Sequence, residues 1–332
     1  MNTTTPTDDL RDEPAPAGDC AARIALSWRG QYDTQTRTLH CGHSAGFFSS
    51  CCVTLWTLQE VPRAGQPMPE RIDFSASFAF FRNSEQQQGK ADLYPLFFRP
   101  GPAPAFPSDF PRIDHHGIYR FLDYARINVA MARYFRPSDE AERRRDELAR
   151  TYRIDPATTL AVIYRGTDKG TEVRVASPEA YLAQARKLLV RNPGFRVWIQ
   201  TDEPAVRSMF CRAFGERCFY LDEMPVSSDG RVVHEQEDST LNMDRSEFGV
   251  LLVAVTSLLA QCAIVVNHTG NMALWVCLFR GHAHGVWQFD DEGRVVNPRL
   301  PGSHFGAVRR FRIKAVRKIN RVVRRLLGLP SV

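Results

Sequence analysis

The chain has no C-x-x-C pair, no internal repeat, no low-complexity tract, and no basic start leading into an apolar segment. Each absence removes a class. Without paired knuckles, its eight cysteines (Cys20, Cys41, Cys51, Cys52, Cys211, Cys218, Cys262 and Cys277) make neither a zinc framework nor the disulfide scaffold of a small secreted domain. Those inside apolar segments read as small hydrophobes of a reducing, cytoplasmic compartment. Met1 to Asp19 is polar, acidic and proline-containing, so residues 1–20 read as a disordered leader and not as a signal peptide or membrane anchor. At the other end it is acid that is missing. Arg309, Arg310, Arg312, Lys314, Arg317, Lys318, Arg321, Arg324 and Arg325 follow one another with no carboxylate between them. The formal net charge is +6, and taking away these nine leaves −3 for the rest. The basicity belongs to one segment and is no sign of a nucleic-acid-binding fold.

What is present suits two domains, since 332 residues with 43% apolar content can fill two ordinary cores. In the first half, Ala21 to Trp28 alternates, and the small-residue loop from His40 to Ser50 runs into an apolar segment, which reads as a first βα unit. Ile72 to Phe81 reads as a second, aromatic strand, and Arg99 to Pro111, with five prolines, as an extended crossing. Helical spacing covers Tyr119 to Phe135, and a charged helix covers Glu140 to Tyr152. The second half alternates regularly. Strands at Leu160–Tyr164, Phe195–Thr201, Cys218–Leu221 and Ala263–Asn267 are interleaved with helices at 178–190, 203–214, 246–260 and 272–279, the pattern of a parallel sheet wound with helices.

The chemistry concentrates where apolar strands break into polar loops. After Tyr164 come Arg165, Asp168, Lys169 and Glu172 within eight positions. Loops at the carboxyl ends of parallel strands are where α/β proteins place ligands. Arg165 offers a planar, permanently charged donor set to phosphate, or else a structural ion pair to Asp168 or Glu172. Glu172 can serve as a general base with Lys169 tuning it, or stand as a solvated loop charge. His268-Thr269-Gly270-Asn271 follows another strand at a helix start, where free amides and the helix dipole favour an anion; the plainer reading is that Thr269 and Asn271 cap the helix. Asp202 sits past a third strand, on the ligand-facing rim or as a cap ahead of Pro204. His40, Cys41 and His43 lack further ligands at zinc spacing, so no metal site is expected. Gly42 and His43 belong instead to a loop small enough to let a nucleotide or sugar approach the backbone.

Arg165-Gly-Thr-Asp-Lys-Gly-Thr-Glu, with Tyr134-Phe-Arg-Pro upstream, Pro178-Glu-Ala-Tyr downstream, Thr201-Asp-Glu-Pro, and the strand leading into His268-Thr-Gly-Asn, resembles the α-1,6-fucosyltransferases in order and spacing over residues 120–290. The resemblance implies a GT-B fold, an α/β architecture of two facing Rossmann-like domains with parallel sheets: an acceptor-side domain at 21–150 and a nucleotide-sugar domain at 151–302. It implies inverting, metal-independent transfer from a GDP-sugar such as GDP-fucose, which is substrate and not cofactor, to a glycan hydroxyl. Carried over by position, Arg165 would bind the β-phosphate and Glu172 would be the base. Lys169 and Asp168 would support it, and Thr269, Gly270 and Asn271 would line the diphosphate. The donor-side set is completed by His268, Asp202, Gly42 and His43. The chain departs from the family at Ile163 and Gly166, where a histidine and a second arginine are usual, at Ala254, where an aspartate helps read guanine, and in the spacing from Lys169 to Glu172, which is one residue shorter.

In the tail, 303–332, residues Val308, Phe311, Ala315, Ile319, Val322 and Leu326 share one helical face and the cations fill the rest. A basic amphipathic helix of this kind suits an anionic membrane surface, or else packs back on the N-terminal domain, as the resemblance to GT-B folds implies, with its basic face in solvent. In the first case it would hold the enzyme peripherally on the inner membrane face, within reach of a lipid-linked or other glycan acceptor. Two other functions fit the sequence less well: a non-catalytic nucleotide-sugar or glycan-binding module that has kept the phosphate cradle, and a nucleic-acid binder, which lacks basic and aromatic interleaving on its strands.

Overall fold

The computed structural model describes residues 23–27, 29–102, 106–107, 110–111, 113–166, 175–227, 233 and 243–296. The leader, the basic tail, and Asp168, Lys169 and Glu172 lie outside the described residues. The strands are β1 (Arg23–Ser27), β2 (Gly30–Asp33), β3 (Thr38–Cys41), β4 (Arg71–Asp73), β5 (Phe98–Arg99), β6 (Arg136–Pro137), β7 (Thr159–Tyr164), β8 (Arg196–Thr201), β9 (Cys218–Phe219), β10 (Ile264–His268), β11 (Val286–Phe289) and β12 (Val295–Val296). The helices are α1 (Phe47–Arg63), α2 (Ser84–Gly89), α3 (Tyr94–Phe97), α4 (Tyr124–Tyr134), α5 (Asp139–Thr151), α6 (Pro178–Arg191), α7 (Pro204–Phe214), α8 (Arg245–Gln261) and α9 (Asn271–Arg280). Among the described residues no helix is long and apolar enough to cross a membrane.

The second half forms one six-stranded sheet in the order β12-β11-β10-β7-β8-β9. All its pairings are parallel except that of β12. Numbered by appearance from the other edge, the order is 3-2-1-4-5-6, that of a doubly wound dinucleotide fold. Side chains alternate across it as a sheet covered on both faces requires. Leu160, Val162 and Tyr164 join Val197, Ile199 and Val266 in a core under α6 and α7. Ala161, Ile163, Trp198 and Val265 point the other way, into a larger core with α8 and α9. Helix starts are fixed by short polar side chains, as when Ser177 accepts from Ala180 N–H ahead of α6 and Asp244 from Ser246 N–H ahead of α8.

The first half departs from the expected parallel Rossmann-like sheet. β1, β2 and β3 form an antiparallel meander, and only β3 and β4, joined by α1, are parallel. The expected first βα unit is met only in part: β1 lies within its strand, Ala21 to Trp28, and α1 is its apolar segment, but β2 and β3 stand between them, and it is β3 that feeds α1. Nor is Ile72 to Phe81 a strand. β4 stops at Asp73, because the Asp73 carboxylate takes the Ser75 amide at 2.9 Å and the Asp92 carboxylate takes the Phe74 amide at 2.9 Å. Phe78 then adopts φ 62, and its ring packs 4.9 Å from Phe47 and 5.3 Å from Phe97. The aromatic run builds a ring cluster in place of a ladder. That cluster belongs to the same core as α8 and α9: Phe81 stacks on Phe248 at 5.8 Å and Phe48 on Trp275 at 5.7 Å. Helices α8 and α9 thus cover the parallel sheet with one side and anchor the N-terminal half with the other.

Candidate functional site

In a 3-2-1-4-5-6 sheet the connections leave in opposite directions at strands 1 and 4, and a crevice opens at their carboxyl ends. Here those strands are β7 and β10, paired in register from Leu160 opposite Ile264 to Val162 opposite Val266. β8 lies on the far side of β7, with Tyr164 opposite Thr201. Strand register alone therefore brings Arg165, Asp202 and the His268–Asn271 turn to one edge. β7 is buried at all six positions and ends where a charge begins, since burying Arg165 within the sheet would cost far more than exposing it.

Arg165 is about a third exposed, and its Nε lies 3.9 Å from the Asp202 carboxylate, which is 14% exposed. That separation is the outer limit of an ion contact, and pairs of this exposure contribute about 0–1 kcal/mol. The contact is loose enough to exchange for a phosphate, which a guanidinium can grip with two parallel bonds. Asp202 does not cap the next helix. The N-cap of α7 is Glu203, which makes no side-chain cap bond.

Around Thr269 the capping reading also fails. Gly270 is the N-cap of α9, again with no side-chain cap, at φ 151 and ψ 167, a conformation essentially reserved for glycine. Thr269 is 1% exposed, and its hydroxyl has no hydrogen-bond partner among the described residues. Leaving a buried hydroxyl unpaired costs about 1–3 kcal/mol. The first intrahelical bond is from Leu274 N–H to Gly270 O at 2.9 Å, so the three preceding amides have no helical acceptor. One donor expected in the cradle is committed elsewhere: Gly270 N–H reaches His115 O at 3.0 Å and the Tyr119 hydroxyl at 2.8 Å. What remains for an anion is the Thr269 hydroxyl and the amides beginning at Asn271. His268 is buried and donates from Nδ1 to the Thr269 carbonyl, which fixes its proton there.

Three features are not legible in the sequence. The segment from Asp114 to Tyr119 crosses the carboxyl edge, pinned by Tyr119 to Gly270 and by Gln288 of β11, which accepts from Tyr119 N–H at 2.9 Å and donates to Gly117 O at 2.8 Å. This brings the adjacent His115 and His116 rings, 4.0 Å apart, to the rim. The second feature is Glu203, whose carboxylate lies over Gly166. A side chain at Gly166 would begin 2.1 Å from Glu203 Oε1 and 2.8 Å from the Tyr164 hydroxyl. Burial and the neighbouring Asp202 raise the Glu203 pKa, while the Gly166 N–H works against the rise. Tyr164 is the third; burial, then Glu203, Glu179 and Asp202, push its phenol up to about 12. The only signal for any of these is a His-His doublet and a Glu-Pro following a strand.

Gly42 and His43 lie on the other sheet, after β3. His43 Nε2 is 3.2 Å from the Ser49 hydroxyl, and burial, then Arg29, lower its pKa. Its carbonyl accepts from Phe78 N–H in the 78–81 turn, and Phe80 of that turn accepts from Arg245 at the start of α8. His40 pairs with Asp73 at 2.7 Å, and Cys41 is buried, its thiol pushed up to about 12 by desolvation. Ile163 and Ala254, where the chain departs from the fucosyltransferase pattern, are 3% and 0% exposed within the shared core. A base-reading aspartate at 254 would be a buried, unpaired charge.

Fold and edge together define a doubly wound α/β protein with a candidate anion site at its topological switch point. No protein-family model matches the chain, and no curated protein does. Among solved structures it is similar to NodZ α-1,6-fucosyltransferase co-crystallised with GDP, at 15% identity and TM-score 0.46 over 78% of this chain and 96% of that one. It is also similar to fucosyltransferase NodZ from Bradyrhizobium, at 15% identity and TM-score 0.45 over 76% and 95%. NodZ soaked with GDP-fucose gives 15% identity and TM-score 0.44 over 76% and 95%.

Proposed function

We propose that this protein is a glycosyltransferase that moves a sugar, fucose in the first instance, from a GDP-sugar to a hydroxyl of a glycan. One observation carries the reading: a guanidinium, a buried hydroxyl with no partner among the described residues and the open first turn of a helix share the switch point of a 3-2-1-4-5-6 sheet. The reaction asks for that arrangement. As the acceptor oxygen bonds to the anomeric carbon, the bond to the β-phosphate oxygen breaks and its electron pair leaves on the diphosphate. Arg165, Thr269 and the α9 amides meet that growing charge in place and without reorganisation, the kind of stabilisation that usually contributes most to such rates. Glu172 takes the acceptor proton, with Lys169 and Asp168 orienting it, in the roles that the motif resemblance implies. Attack opposite the leaving group inverts the sugar carbon.

The test is a melting screen of nucleotides and nucleotide-sugars followed by a transfer assay on glycan hydroxyls. GDP and GDP-fucose are expected to raise the melting temperature, since a ligand at 100 times its Kd stabilises by about 2.7 kcal/mol. Stabilisation with neither transfer nor donor hydrolysis would assign the non-catalytic, nucleotide-sugar-binding role instead. No stabilisation and no transfer with any nucleotide-sugar would end both.

The same proposal places the enzyme in the cytoplasm, on the inner membrane face, through Arg309 to Arg325. Deleting residues 306–332 is expected to abolish sedimentation with anionic vesicles and to leave GDP binding intact. Binding of the full chain to anionic vesicles should weaken steeply with salt and be absent on zwitterionic ones. Retention on duplex DNA but not on vesicles would reverse the assignment of the tail.

A further inference from the structure

We infer that Glu203 is a specificity residue that accepts hydrogen bonds from a vicinal diol of the bound nucleotide-sugar; this rests on the reading that such a donor occupies the switch point. β8 is the second strand of the 3-2-1-4-5-6 order and lies next to β7, the strand that delivers Arg165. In sheets of this order the phosphate sits beyond strand 1, and an acidic residue beyond strand 2 receives a ribose hydroxyl. Asp202 and Glu203 occupy that second place, and they divide the work. Asp202 faces the guanidinium. Glu203 stands at the N-cap of α7 yet does not cap it; its carboxylate crosses to lie over Gly166, in space that only a glycine leaves open.

Charge decides what such a group can bind. A carboxylate beside a diphosphate repels phosphate oxygens and takes hydrogen-bond donors, and beyond the second strand of such a sheet the donors within reach are hydroxyls. It presents about four acceptor positions. The Gly166 amide uses one of them. Burial and Asp202 both disfavour its ionised form, so further donors would stabilise the carboxylate. The diol can be the ribose 2′,3′ pair or adjacent hydroxyls of the transferred sugar.

Calorimetric titration of GDP, 2′-deoxy-GDP and GDP-fucose into the wild type and Glu203→Gln separates these sources. If the diol is ribose, the wild type binds 2′-deoxy-GDP roughly tenfold or more weaker than GDP, and Glu203→Gln binds the two alike. If it is on the sugar, the wild type prefers GDP-fucose to GDP by a similar factor, and Glu203→Gln loses that preference. Glu203→Asp, one methylene shorter, is expected to fall between. Selectivity in Glu203→Gln equal to that of the wild type overturns the inference, as does tighter GDP binding by that variant, the result of merely removing a repelling charge. A wild type that shows neither preference overturns it even if both variants fail to fold. In each of these cases the wild type still binds GDP; a wild type that binds no nucleoside diphosphate overturns the functional reading itself.

Discussion

Arg165→Ala is expected to lower kcat/KM for sugar transfer by a factor on the order of 10² to 10³, the usual loss when one preorganised donor to a developing oxyanion is removed. Direct titration should show GDP binding weakened by about 10- to 100-fold, since a charge-assisted bond is lost. The fold should survive, because the side chain is a third exposed and stands past the end of β7, outside the buried strand. Near-equal melting temperatures for variant and wild type would therefore assign the loss to the site and not to the scaffold. Arg165→Lys should recover only part of the binding, because an ammonium is a point charge and cannot grip two phosphate oxygens in parallel. A variant that binds GDP as tightly as the wild type removes Arg165 from the diphosphate, and the proposed mechanism goes with it.

The second half of the chain is readable because each of its strands is a short apolar run that ends in a charge or a small polar residue and is followed by a periodic helix. Those breaks form the candidate site, so Arg165, Asp202 and Thr269 can be found by the same signal that marks the strand ends. The first half has no comparable punctuation. β2 and β3 are four residues each, and the turn between them contains no glycine; the Asp33 carboxylate holds it instead by accepting from Gln35 and Thr36 N–H at 2.9 Å. Ile72 to Phe81 resembles a strand because aromatic residues favour strands, yet its rings gain more burial in a cluster beneath α8 than they would along a ladder. The rim is the least legible part. Tyr119 meets Gly270 across 151 positions, and nothing local in either stretch announces the contact that uses the Gly270 amide.

That contact reshapes the expectation for the site. With Gly270 N–H tied to the 114–119 segment, the glycine serves to let that segment lie against the sheet edge, and the Thr269 hydroxyl becomes the buried donor without a partner among the described residues. The rim is thus assembled from both halves of the chain, and the shared core beneath α8 and α9 holds them in one relation. A site built across such a core can keep donors fixed while charge moves, which is what departure of a diphosphate requires.

Glu172→Gln is expected to separate chemistry from binding where Arg165→Ala impairs both. Glutamine keeps the size and one acceptor oxygen of the glutamate but cannot take a proton, so the acceptor hydroxyl would have to attack undeprotonated. The loss of a general base costs about 10² to 10⁴ in rate. Since Glu172 is assigned to the acceptor proton and not to the diphosphate, GDP should bind the variant as it binds the wild type, and the whole deficit should fall on kcat. The pH profile is an independent check. Rising activity with pH in the wild type should report a carboxylate that must lose its proton, and that limb should vanish in the variant. Normal turnover in Glu172→Gln would assign the base to another group, and Glu203, a carboxylate over Gly166 with a raised pKa, would be the first residue to test in its place.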